Sequence, residues 1–187
     1  RRRPGHPIGR LLLAIALTGV LMTCLQELMI YGVFTSDSVP GTLFAGWIAN
    51  WLWIVFYALI LIMLAIFPDG RFLSQGWRTV ILTAMGLSIV PLLLYASITT
   101  PMASAFQVPN PYFSYEETGL FRFMFNFGLI CMLFSVLLVL AQIVARYRKS
   151  RGRERQQMKW LLAGMGVMAL MIVIGGILST LGYLSGE

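Results

Sequence analysis

The chain has 187 residues, of which 58% are hydrophobic and only 11% charged, with a mean hydropathy of +0.81. A soluble domain carries about 25% charged residues, so this composition excludes an ordinary water-soluble globule, and it is too apolar for a disordered chain. The net charge of +7 in so apolar a chain points to the basic flank of a membrane rather than to nucleic acid.

Five apolar runs follow one another, at about 11–34, 43–67, 79–99, 120–145 and 160–184. Each reaches the roughly 20 residues that a helix needs to cross a hydrocarbon core. Lipid offers the backbone no hydrogen-bond partner, so each run is expected to be helical. The ten-residue alternation of a membrane β-barrel is absent. The expected fold is an all-α integral membrane bundle of five transmembrane helices, a single domain over 1–187. The first residue is Arg1 rather than Met, so a processed, trimmed or partial chain is expected.

The connectors alternate in charge. The leading RRRPGHPIGR carries four arginines, and TSDSVPGT carries no basic residue. The second, PDGRFLSQGWR, holds Arg71 and Arg78. The third, about 100–119, holds Glu116 and Glu117. The fourth, 146–159, holds Arg146, Arg148, Lys149, Arg151, Arg153, Arg155 and Lys159. Of the 14 basic residues, all but Arg122 therefore fall on alternate connectors. The positive-inside rule then places the N-terminus in the cytoplasm and the C-terminus outside, in a bacterial inner membrane. Trp77 and Trp160 suit the cytoplasmic interface, and Trp47, Trp51 and Trp53 the outer one. A ligand-stacking role for Trp51 or Trp53 is the alternative to that belt. The loop 100–119 is too short for a sensor domain of its own; its aromatic residues suit the membrane surface or a cap on the bundle. Gly152 is expected to mark a short turn after a cytoplasmic extension of the fourth helix.

Polar side chains inside spans are costly and mark candidate sites. Glu27 lies seven residues before the end of the first run, about 10 Å deep at 1.5 Å per residue. Gln26 adjoins it, Asn50 sits at matching depth in the second run, and Arg122 and Asn126 open the fourth. Depth alone groups Gln26, Glu27, Asn50, Arg122 and Asn126 into an outer-leaflet polar layer. Its two readings are glue between helices and a small pocket open to the outside. The basic residues of 146–159 are candidates for contact with anionic lipid or a cytoplasmic partner. In the last run Gly175 with Ser179, and Gly176 with Thr180, form small-xxx-small pairs suited to helix packing, within the bundle or in a homodimer. Pro91 is expected to kink the third span.

The chemistry-bearing inventory is short. His6 lies before the first span, so no haem or pigment held by histidines inside the membrane is expected. Cys24 and Cys131 lie inside apolar runs and suit packing. No zinc spacing, phosphate loop or nucleophile–base set is present in the sequence. The chain is expected to be non-catalytic, with no metal and no cofactor.

Three stretches are familiar in kind. RRRPGHPIGRLLLAIAL, NWLWIVFYALILIMLAIFPDGRFLSQGWR and RYRKSRGRERQQMKWLL together resemble the multi-helix membrane region of bacterial sensor histidine kinases of the actinobacterial and Chloroflexota kind. The matching positions include Pro4, Gly5, Pro7, Gly9, Pro68–Arg71, Trp77, Arg78, Glu154–Gln157, Lys159 and Trp160. The resemblance implies an input region that feeds a cytoplasmic kinase. The chain departs from that pattern in lacking a phospho-acceptor His-Glu pair and an Asp-x-Gly-x-Gly segment. Five spans would also leave its C-terminus outside. The expected function is perception or transmission of a signal. The alternative is an accessory structural subunit of a larger membrane complex, respiratory or photosynthetic. A small transporter is a weaker third, since the inner halves of the runs offer only isolated polar groups such as Ser88 and Gln142.

Overall fold

The structure is a computed structural model and describes residues 7–35, 39–102, 108–113, 115–116, 118–152, 155–164, 167 and 174. Its described elements are α1 (Pro7–Phe34), α2 (Thr42–Ile66), α3 (Gln75–Ile98), β1 (Thr99–Thr100), β2 (Tyr115–Glu116) and α4 (Gly119–Lys149). These four helices are long and apolar enough to cross a membrane, which is consistent with a multi-pass membrane protein. The fifth expected span, 160–184, lies outside the described residues, apart from helical positions 160–164, 167 and 174. Gly175, Gly176, Ser179 and Thr180 lie outside them too.

Local chemistry sets the helix ends. Pro7 opens α1, where its missing N–H is no loss and its fixed φ suits a first turn. Ser74 caps α3, its hydroxyl accepting the Trp77 N–H at 3.3 Å, so α3 starts four residues before the apolar run. α3 continues through Pro91 to Ile98. α4 runs on to Lys149, past the apolar stretch, with Arg146, Arg148 and Lys149 in its last turn. Cations are favourable there because the carbonyl ends of the helix carry partial negative charge.

One departure from an all-helical chain is small. Thr99 and Thr100 pair in parallel with Tyr115 and Glu116. The loop between α3 and α4 thus returns to the end of α3 before α4 begins.

The chain divides into two compact units, Arg1–Gln142 and Ile143–Glu187. In the first, α1 packs along α2 but is peripheral: none of its most apolar 18-residue window is buried. Leu12, Leu13, Leu17, Val20 and Leu21 stand exposed, as expected where lipid is the solvent. The core lies where Ile54 of α2 meets Leu92 and Ala96 of α3, with Phe125, Leu129 and Met132 of α4 packed against them. A second cluster joins Met29 of α1 to Met102 and Val108 of the loop that follows α3, with Trp47 against it. The loop therefore caps one end of α1 and α2. In the second unit, α4 ends at Lys149, and Gly152 takes a left-handed φ of 57° before helical residues 155–164. That backbone region suits glycine, and the turn falls where the sequence places it.

Candidate functional site

The polar groups fall into two sets, one inside the helices and one on their outer surfaces. Inside, Asn50 is buried and its Nδ2 donates to the Ala96 carbonyl at 2.6 Å, tying α2 to α3. One turn earlier on α2, the Trp47 indole N–H donates to the Ser97 carbonyl at 3.0 Å. Two turns beyond Asn50, the Tyr57 hydroxyl reaches the Met132 carbonyl at 2.9 Å and the Ser135 hydroxyl at 2.6 Å, tying α2 to α4. Farther along, the Gln142 side-chain amide donates to the Ala65 carbonyl. These clamps recur at intervals of seven or eight residues on α2 and seven on α4, roughly 10–12 Å apart. Among the described residues, Trp51 Nε1, Ser88 Oγ and Gln142 Oε1 are buried with no hydrogen-bond partner.

The loop cap is organised by Asn110. Its Nδ2 donates to the carbonyls of Ser97 and Thr99 at 3.0 and 3.1 Å. Its Oδ1 accepts the N–H groups of Tyr112 and Phe113 at 3.0 and 3.3 Å, and its own N–H donates to Thr100 Oγ1 at 3.2 Å. One side chain thus closes the C-terminus of α3 and turns the loop. Above it the rings of Phe44, Trp47, Trp51 and Tyr112 pack edge-on or stacked, with Trp47 and Tyr112 at a centroid distance of 5.2 Å. Asn110 is uncharged and lies outside the apolar runs, so counting depth along spans passes over it. The signal present in the sequence is the Asn110–Pro111 dipeptide, since Asn before Pro favours a turn built on the Asn side chain.

The expected outer-leaflet layer is not gathered into one buried set. Asn50 is buried, whereas Gln26, Glu27, Arg122 and Asn126 lie exposed on α1 and α4. The reason is azimuth. α1 turns its buried Met29 and Gly32 toward its neighbours, and at about 100° per residue Glu27 points to the opposite side. On α4, Asn126 lies two residues from the buried Gly128, on the far side of the helix by the same rotation. Arg122 makes an interaction within the chain. Residues equal in depth are thus not equal in direction.

Of the basic connector, Arg148, Lys149, Arg151, Arg155 and Lys159 are exposed and Arg146 is buried, while Arg153 lies outside the described residues. The Arg155 guanidinium sits 5.2 Å from the centre of the Tyr147 ring, within the range of a cation–π contact. Cys24 is exposed and Cys131 half-buried, both as free thiols. Among the described residues, no three His, Cys, Asp or Glu side chains are grouped as a metal site would require.

The arrangement can hold helices in register and couple the loop around Asn110 to α3. No protein-family model, no curated protein and no solved structure matches the chain.

Proposed function

We propose that the chain is the membrane-embedded input and transmission region of a bacterial signalling protein of the sensor histidine kinase type. In this reading it crosses the inner membrane five times, with its N-terminus and basic connectors in the cytoplasm, and it performs no chemistry itself. One observation carries the reading. The outer loop is tied through Asn110 to the end of α3 and leads directly into α4, which is unbroken from Gly119 to the basic residues at Lys149. A change in loop packing therefore has a stiff element to act on, next to the segment that resembles the kinase-side motif. A stimulus can shift such an equilibrium only by favouring one helix arrangement over another.

Hydrogen exchange read by mass spectrometry, on the full chain in lipid nanodiscs, tests the coupling. Asn110→Ala is expected to change exchange in 146–159 as well as in the loop, with α2 protected as before. A change confined to 100–113 would overturn the transmission reading.

A second reading, an accessory subunit of a larger complex, is favoured by the exposed Gln26 and Glu27 within the apolar stretch of α1, because a carboxylate facing hydrocarbon calls for a partner. A purified chain that is monomeric or dimeric supports the sensor reading. Obligatory co-purification with other subunits supports the accessory one.

A further inference from the structure

A cavity of about 530 Å³ opens at the turn between α2 and α3. Its mouth is built by Arg71, Ser74, Gln75 and Arg78, and its wall by Ile62, Ile66, Phe72 and Leu82. The two kinds of residue are segregated. Leu82 lies seven residues beyond Gln75, so the apolar wall extends about 10 Å along the helix from the polar mouth. Among the described residues, no carboxylate lines the cavity, and the first turn of α3 holds no acidic residue. Both arginines are exposed at the mouth. Arg71 also engages the chain itself, but a guanidinium has five N–H donors to share.

A guanidinium fork matches phosphate oxygens in shape and charge. The start of α3 adds the partial positive charge of a helix N-terminus there. A free phosphate would have no use for the apolar wall, whereas an amphiphile uses both halves. We propose that this cavity binds an anionic phospholipid, its phosphate between Arg71 and Arg78 and one acyl chain along Ile62, Ile66 and Leu82. The site is distinct from the basic connector 146–159. It stands or falls independently of the signalling reading.

Native mass spectrometry of the full chain in detergent tests it, with dioleoylphosphatidylglycerol and dioleoylphosphatidylcholine offered at equal concentration. The chain is expected to retain phosphatidylglycerol in preference. Arg71→Gln with Arg78→Gln should lower that retention by roughly fivefold for each arginine, the scale for basic residues at an anionic surface. Leu82→Trp fills the wall, leaves both arginines in place, and should also lower retention, so the test survives a double variant that fails to fold. Arg10→Gln, which removes an exposed arginine from α1, should leave retention near wild type. Equal retention of the two lipids would overturn the proposal. So would displacement of the lipid by millimolar inorganic phosphate, or a loss in Arg10→Gln equal to that in Arg71→Gln.

Discussion

Asn110 and Tyr57 show how differently one polar side chain weighs at the cap and inside a span. Asn110 serves two carbonyls at the end of α3 and two N–H groups of the loop. Removing it leaves the partners short of several bonds, each worth about 1 kcal/mol net, so Asn110→Ala should cost roughly 2–3 kcal/mol. Tyr57→Phe is a milder change, because Ser135 keeps its own bond to the Met132 carbonyl at 2.8 Å. Hydrogen bonds between membrane helices average about 0.6 kcal/mol, and that is the expected cost. Thermal unfolding in detergent should rank the two variants in that order, and the reverse order would refute this division of labour. Asn50 was identifiable from the sequence because an amide inside an apolar run stands out. Its direction was not, and Gln26, Glu27 and Asn126 differ from it in nothing that depth along a helix records.

The contact of α3 with α4 depends on a single missing side chain. A methyl group built on Gly128 would lie 2.6 Å from Leu92 Cγ and 3.3 Å from the Ser88 carbonyl oxygen. Leu92 is 1% exposed and has no room to yield. On α3, a methyl on Gly86 would meet nothing within 4 Å. The same substitution should therefore have opposite signs. Gly128→Ala is expected to destabilise by about 1–3 kcal/mol through overpacking. Gly86→Ala should stabilise by up to about 1 kcal/mol through helix propensity. Melting temperatures of the two variants that moved together would contradict the packing described here. Helix existence was legible from run length alone, and the four described helices lie within a few residues of the expected spans. Their ends shifted where local chemistry extended them, at Pro7, at the Ser74 cap and through the basic last turn of α4. The pairing of Thr99–Thr100 with Tyr115–Glu116 was not legible, because two-residue strands have no periodicity to read.

For the whole molecule, the charge pattern assigns the connectors to two sides. The expected arrangement puts Ser74 and Ser150 in one aqueous compartment and Thr118 in the other. Single cysteines at these positions, in a background with Cys24 and Cys131 replaced by Ala, can be probed with an impermeant maleimide in right-side-out and inverted vesicles. Positions 74 and 150 should react together and 118 oppositely. Labelling of 74 and 150 from opposite sides would overturn the topology and the functional reading built on it.

Composition and run length determined that the chain is helical and suited to lipid, because a backbone without water must bond within its own segment. The charge of the connectors and the Asn110–Pro111 turn signal were likewise present in the linear order. Only the tertiary structure decided which polar groups face inward, since helix rotation is set by packing and not by depth. It also decided that the loop caps α1 and α2 through Met102 and Val108, and that Arg71 and Arg78 frame one cavity. Those relations join residues distant along the chain or on different elements, and they exist only once the helices have packed.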